Sequence, residues 1–589
     1  MKTSEALDII RAAPRDGKAF EVTLACGFTP LHLETFLTAY LQRRLPERLV
    51  KVSKGLYGDL PATVDRLRGA EAQNVVIAIE WADLDPRLGY RASAVWDSGT
   101  LPDILSFVRT IVARLIESLE QVSASTKLVV SLPTLPLPHV FHTHGWQIGE
   151  AESQLLQIAA ELGQRLTRAG ISVVNATRLA EESVPAQRYD FKSDLYLGLP
   201  YTVNHASILA SALAQLLCPA PAKKGIITDL DDTLWAGLVG EVGADGVRWD
   251  LNSHSGPHGA YQMLLASLAE SGVLVGVASK NNSDIVQAAF QRSDILLPQD
   301  RVFPMEVHWN AKSSSIERIL RTWNISADAV VFVDDSAMEL AEVAAAHPGI
   351  ECIQFDGKDY AAVYQVLRRI RDLFGRPKIS AEDQIRLASI RQTASFQEAA
   401  SEATPEHFLK QTQAVVHIDV NVPTKDSRAL ELVNKTNQFN LNGVRYTESD
   451  WALELSQENN ELMVIDYKDR FGLLGKIAVM LGHVDGDTLR LKTWVMSCRA
   501  FGRRIEHLCL RTCFERYQVG RVEFDYMSTN KNGPLREFLT FILGREPEGQ
   551  TVVTREQFEQ VCPALYQTIM ETRGAEVHGR NPEPVGKMF

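Results

Sequence analysis

Over the first 218 positions, short apolar runs alternate with longer, half-polar stretches. Residues 20–25 (FEVTLA), 49–52, 75–79 (VVIAI), 128–132 and 171–174 are near-continuous apolar runs of strand length. Residues 104–118 and 153–169 carry a helical period between them. Strands without polar alternation are buried on both faces, so the pattern predicts a parallel sheet covered by helices. The breaker-rich run CPAPAKK, residues 218–224, then reads as a linker.

The alternation resumes at Gly225. Residues 226–228 form a short apolar strand ending in Asp229. Tyr261, Leu264, Leu265 and Leu268 recur at i, i+3, i+4 and i+7, the stripe of an amphipathic helix that Gly272 is placed to stop. Residues 273–278 are the next buried strand, Ile316, Ile319, Leu320 and Trp323 make a second stripe, and residues 329–333 and 352–355 complete the series. Residues 376–412 are polar and helical in pattern and predict a connecting helix pair. A third unit opens with strand-like residues 415–420 and continues with 462–467 and 489–495, where Leu489, Leu491, Thr493 and Val495 alternate with Arg490 and Lys492. The expected chain is multi-domain α/β, divided as 1–218, 222–375, 376–412, 413–575 and a loose tail over 576–589.

Composition narrows the class. The 589 residues are 45% hydrophobic and 23% charged, which excludes a mostly disordered or fibrous chain. With 61 Lys plus Arg against 73 Asp plus Glu, the net charge of −12 argues against nucleic acid as the main partner. No apolar run is long enough to span a membrane, and the opening residues mix charge into every turn, unlike a secretory signal. The 7 Cys include no CxxC pair, and Cys509 and Cys513 lack a second pair to close a zinc site, so free thiols in a reducing cytoplasm are expected.

The chemistry concentrates at strand ends. Asp229-Leu230-Asp231-Asp232-Thr233 follows the first strand of the second unit, Ser279-Lys280-Asn281 ends the next, Lys312 opens the helix striped by Ile316, and Asp334-Asp335 ends a third strand. In parallel sheets ligands bind beyond the carboxyl ends of strands. Clustered carboxylates suit Mg²⁺ and substrate phosphate. One Asp can attack phosphorus, a second two residues on can serve as acid and base, and a hydroxyl and an ammonium can hold the phosphoryl oxygens. Alone, DLDDT reads equally well as an acidic turn capping a helix. The ordered company of Ser279, Lys312 and Asp334-Asp335 favours the phosphoryl site.

The runs IITDLDDT, VGVASKNN, WNAKSSS and VVFVDDS resemble the four motifs of the haloacid dehalogenase (HAD) phosphatase superfamily. DLDDTLWAGLVGEVGADGV, with Trp309 three residues before Lys312, resembles its FkbH-like branch, subfamily IIIC. The segments NKTNQFNL (434–441), DRFG (469–472) with Gly475, and Ser497-Cys498-Arg499 followed by Gly502, Arg503, Arg504 and Glu506 resemble the C-terminal part of such proteins, which is similar to the N-acyltransferase (GNAT-like) fold. The resemblance implies a Rossmann-like HAD core between an N-terminal SGNH-hydrolase-like domain and a C-terminal GNAT-like domain. It makes Asp229 the nucleophile and Asp231 the acid and base with its backbone carbonyl on Mg²⁺. Ser279 and Lys312 then hold the phosphoryl group, and Thr233 and Asn281 are assigned with them to substrate binding. The Asp334-Asp335 pair supplies the last metal carboxylate; Asp335 is favoured, but the sequence does not separate the two.

FkbH-like proteins take glycerate from 1,3-bisphosphoglycerate, remove phosphate and load a glyceryl thioester onto the phosphopantetheine thiol of an acyl carrier protein, feeding polyketide-type pathways. By that resemblance Cys498 is a nucleophile toward the acyl phosphate, with Arg499, Arg503 and Arg504 lowering its pKa and binding the donor's phosphates. The plainer reading is a small buried apolar cysteine after a strand. Arg470-Phe-Gly-Leu-Leu-Gly475 departs from the pyrophosphate loop of acetyl-CoA enzymes, so a carrier arm is expected in place of free acetyl-CoA.

Other signals are weaker. His139, His142 and His144 read as loop histidines with no metal role. Cys26-Gly27-Phe28-Thr29 stands where an SGNH hydrolase carries Gly-Asp-Ser, and Asp194 and His205 are not spaced as its DxxH pair, so the N-terminal unit is read as a non-catalytic docking or scaffold domain, with Cys26 as a nucleophile the minor alternative. Arg499, Arg503, Arg504, Arg511, Arg516 and Arg521 form a basic run suited either to solvent or to an acidic carrier protein. Two further functions stay open: a phosphatase of another small metabolite with a structural C-terminal domain, and a carrier-binding scaffold.

Overall fold

The computed structural model of the chain describes residues 1–68, 74–91, 99–123, 126–138, 144–376, 386–388, 390–392, 394, 405–420, 427–457, 459–529, 531–573 and 586–587. It is α/β throughout and separates into two compact units, Met1–Ala220 and Pro221–Phe589.

In the first unit β1 (Ala19–Ala25), β2 (Leu49–Lys54), β3 (Asn74–Ala78), β4 (Lys127–Ser131) and β5 (Ser172–Val173) form one parallel sheet in the order β2-β1-β3-β4-β5. Val75, Val76 and Ile77 are all fully buried although they point to alternate faces, the signature of a sheet covered on both sides. Cys26, just past β1, donates its thiol to the Phe28 carbonyl at 3.4 Å. Burial, with Asp83 close by, pushes that thiol far above its usual range. Asp194 accepts from the Tyr189 hydroxyl at 2.7 Å, while His205 bonds Thr134 Oγ1 and Ser183 Oγ, each at 2.9 Å. These side chains therefore belong to separate networks. His144 is exposed; His139 and His142 lie outside the described residues.

His205 has no exposure, and burial lowers its pKa from 6.5 to about 3. The folded-state value lies below the unfolded one, so the neutral ring contributes stability that is complete above about pH 6.5 and is lost as pH falls toward 3. The full effect is on the order of 4 kcal/mol. Hydrogen-exchange protection of the helix Val203–Leu217, corrected for intrinsic rates, should fall as pH drops from 6.5 to 4, and should do so less in His205→Gln.

The second unit holds two sheets. β6 (Gly225–Thr228), β7 (Leu274–Ser279), β8 (Val302–Val307), β9 (Val330–Asp334) and β10 (Glu351–Gln354) are parallel in the order β10-β9-β6-β7-β8. The sequence pattern finds four of these strands and misses β8 (VFPMEV), where Pro304 and Glu306 break the apolar run. Proline is tolerated there because β8 is an edge strand.

The second sheet contains β11 (Val415–Val420), β12 (Phe439–Asn440), β13 (Asn460–Asp469), β14 (Gly472–Asp485), β15 (Thr488–Met496), β16 (Arg521–Asp525), β17 (Gln550–Thr554), β18 (Thr568–Arg573) and β19 (Gly586–Lys587). Its order is β17-β16-β15-β14-β13-β11-β18-β19, with β12 on β15. The β11–β18 and β15–β16 pairs are parallel and the rest antiparallel. The motif segment 469–472 is the turn joining β13 to β14, where Asp469 Oδ1 accepts the amides of Phe471 and Gly472 at 2.9 and 3.2 Å. Gly472 takes φ 137°, a region that side chains rarely enter. The expected loose tail is corrected in part: Gly586 and Lys587 pair with Met570 and Ile569. Of the expected connecting helix pair, the helix Pro405–Gln411 is described, whereas residues 377–385 and 395–404 lie outside the described residues.

Candidate active site

The parallel topology of the β6–β10 sheet brings three strand ends together. Asp229 follows β6 and Asp334 ends β9, the two strands being neighbours, with Ser279 at the end of β7 on the other side of β6. The chain leaves β6 through a tight turn in which Asp232 adopts φ 52° and its Oδ1 accepts the Gly237 amide at 2.8 Å. That turn folds Trp235 and Val239 back over Asp231. The Asp231 carboxylate takes the Trp235 indole N–H at 2.8 Å, the Val239 amide at 3.1 Å and the Asn281 side-chain amide at 3.1 Å. Asn281 also donates to Ser279 Oγ at 3.2 Å, so the ends of β6 and β7 are tied through one amide group.

Lys312, the first residue of the helix Lys312–Trp323, is 3% exposed and reaches across the sheet end. Its Nζ lies 3.1 Å from Asp229 Oδ2 and 2.6 Å from Asp334 Oδ2, and it also pairs with Glu339. Asp334 Oδ1 accepts the Ser336 amide at 2.8 Å. Asp229, Asp334 and Asp335 each offer a carboxylate oxygen within 4.8 Å of the others. Asp229 Oδ1 is buried and has no hydrogen-bond partner. An orphaned carboxylate oxygen inside a three-carboxylate cluster is costly unless a cation or an electrophile meets it, and the all-oxygen donor set suits a hard divalent cation.

The electrostatics agree. Burial raises the pKa values of Asp229 and Asp334, with Lys312 pulling both back and their mutual repulsion adding to the rise at Asp334. Burial and the Asp232 charge raise Asp335 as well. At Lys312 burial acts downward, but Asp229, Asp334 and Glu339 outweigh it and hold the ammonium above its usual range. Positive charge held among these carboxylates favours their ionised forms against the cost of burial.

Asp229, Asp231, Ser279, Asn281, Lys312, Asp334 and Asp335 are therefore brought together at one sheet edge. Thr233 is fully buried; its carbonyl accepts from His258 Nδ1 at 3.0 Å and its Oγ1 is without a partner. Glu339 was not among the expected residues. Its signal is Ser336-x-x-Glu339, a capping-box spacing at the start of the helix Ala337–Ala346. The carboxylate leaves that box and instead holds Lys312 and Lys280, the latter at 2.8 Å.

The C-terminal candidates separate. Cys498 opens a short turn after β15, and its Sγ lies 3.6 Å from the Asn324 carbonyl of the neighbouring module. Cys498 and Arg499 line a cavity of about 370 Å³. Arg503 and Arg504 do not line it. Arg503 has no exposure; its Nε lies 3.3 Å from Asp469 Oδ2 and its Nη1 donates to the Arg499 carbonyl at 2.8 Å. Arg504 donates to the Ala564 carbonyl at 2.8 Å. The basic run is thus not one solvent face, since Arg503 is interior.

No family model matches the chain. No curated protein matches it. Among solved structures, the chain is similar to the N-terminal part of the protein BF1531 from Bacteroides fragilis, described as containing a phosphatase domain and complexed with Mg. Identity is 18%, the match covers 64% of this chain and 100% of that one, and the TM-score is 0.49.

Proposed function

We propose that this protein is a Mg²⁺-dependent HAD-type phosphatase joined to a glyceryl transferase, which takes 1,3-bisphosphoglycerate and loads a glyceryl thioester onto an acyl carrier protein. The observation that carries the phosphatase half is the unpartnered Asp229 Oδ1 beside Lys312 and two further carboxylates. The carboxylates of Asp229, Asp334 and Asp335 would hold the ion. When bound, Mg²⁺ supplies charge neutralisation, letting an anionic nucleophile and an anionic phosphate approach.

Asp229 attacks phosphorus: an O–P bond forms, the ester P–O bond breaks, and Asp231 gives the leaving alkoxide its proton. Asp231, ionised by that step, then takes a proton from water, which attacks the aspartyl-phosphate and releases phosphate. Lys312 and Ser279 hold the phosphoryl oxygens as charge moves. Trp235, Val239 and Asn281 fix the Asp231 carboxylate for both transfers. Chelating divalent ions should bring phosphate release to background, and Mg²⁺ should restore it. Release that is indifferent to chelation would remove the metal from the reading.

The transferase half rests on the resemblance around Cys498 and on the place of that residue in the lining of a cavity. The Cys498 sulfur attacks the acyl carbon of the donor, an S–C bond forms, the C–O bond to phosphate breaks, and the departing phosphate ends with the thiol proton. The carrier's thiol then takes the acyl group, returning a proton to Cys498. The deciding experiment is intact mass of candidate carriers incubated with the full chain, Mg²⁺ and 1,3-bisphosphoglycerate. A glyceryl adduct on a carrier is expected. Phosphate release with every carrier unmodified would leave a phosphatase alone.

A further inference from the structure

The cavity at Cys498 has a second wall. Lys224 and Leu274 stand at the starts of β6 and β7, so they mark the amino edge of the sheet whose carboxyl edge carries Asp229. Asn324 follows the last residue of the helix that Lys312 begins. Opposite them lie Ser497, Cys498 and Arg499 from the turn after β15, and Lys435 from the end of the helix Ser427–Lys435.

Six cations line this space: Lys224, Arg386, Arg428, Lys435, Arg499 and Lys531. Among the described residues, no Asp or Glu lines it. Glu431 stands behind, 2.6 Å from Arg428 and paired with Lys435, and Asp328 acts on Lys224 from outside the lining, so carboxylates offset part of the charge. Leu274, Trp323 and Met496, all buried, add apolar surface to the lining. A concave site of this size, lined by buried apolar side chains and six cations, suits a small anion with an uncharged body.

Building on the function proposed above, we infer that this cavity binds a phosphate-bearing acyl donor, with Lys224 and Lys435 gripping its phosphate beside Cys498. The donor site is then shared between the two α/β modules, and neither module completes it alone. Two electrostatic facts accord with this. Burial, together with Lys435 and Arg386, lowers the Lys224 pKa to about 8, a cost that a bound phosphate would relieve. Burial raises the Cys498 thiol, while Arg499 and Lys224 pull it back.

The test uses the full chain and inorganic phosphate as the probe. Cys498 alkylation by iodoacetamide is followed by peptide mass, with sodium chloride holding ionic strength constant. Phosphate should slow alkylation at least about tenfold at saturation, and Lys224→Met and Lys435→Met should each raise the protecting concentration by about tenfold, roughly one charge-assisted contact. The inference is overturned if phosphate protects no better than chloride in wild type, or protects both folded variants as well as wild type. Protection by phosphopantetheine but not by phosphate would reassign the cavity to the carrier's arm and overturn the donor assignment. A parallel arm with 1,3-bisphosphoglycerate separates the two claims: phosphate protection without an acyl adduct would refute the transferase reading and leave the anion site standing.

Discussion

Asp229→Asn should lower phosphate release from a phosphomonoester by at least about 10³-fold, roughly 4 kcal/mol of barrier. The substitution keeps the side chain's shape and its place between Lys312 and the orphaned position at Oδ1, but an amide oxygen does not form a stable bond to phosphorus. The fold should survive. Asp229 and Asp334 raise each other's cost of ionisation inside a buried cluster, so removing one charge relieves repulsion in the metal-free protein. The variant should therefore melt no lower than wild type without Mg²⁺, as read by differential scanning calorimetry. It should also gain less from added Mg²⁺, since stabilisation by an ion follows its differential affinity for the folded state. Phosphate release within tenfold of wild type would dismiss Asp229 as the nucleophile.

Much of this site is legible because the carboxyl ends of neighbouring parallel strands converge on one ligand site, and strand ends are visible as the last residue of an apolar run. Asp229, Ser279 and Asp334 each follow such a run. The partners of these groups are less visible. Trp235 donates to Asp231 only because Asp232 turns the chain at φ 52°, and nothing in the alternation of apolar residues encodes that turn. Glu339 sits where a helix-capping residue is expected, so its pairing with Lys312 is masked by a commoner local role. β8 is lost to a proline that an edge strand accommodates, and β14 to the glycines that interrupt its apolar run. Arg503 shows the opposite error. In sequence it belongs with Arg499 and Arg504 beside Cys498, yet it is an interior side chain against Asp469 with the Tyr467 ring 5.5 Å away. A charge run records nothing about which of its members a sheet will cover.

Cys498→Ser should abolish carrier loading, by at least about 10³-fold, while leaving phosphate release from a free phosphomonoester within a factor of two. The reason is spatial. The helix Lys312–Trp323 has 12 residues, and at 1.5 Å per residue it separates its ends by about 18 Å. Lys312 serves Asp229 at one end, and the Asn324 carbonyl faces the Cys498 sulfur at the other. Substitutions at the thiol therefore act far beyond the contact range of the Asp229 cluster, where energetic effects are usually additive. Serine preserves the volume and can still donate to the Asn324 carbonyl, so packing between the modules is retained. A hydroxyl, however, is a far weaker nucleophile than a thiol, even one whose pKa burial raises. Intact mass of the carrier and a phosphate-release assay on the same preparation read both halves at once. Loading by the serine variant at the wild-type rate would mean that the carrier's own thiol attacks the donor directly, and the cavity would then orient the donor without forming a covalent intermediate.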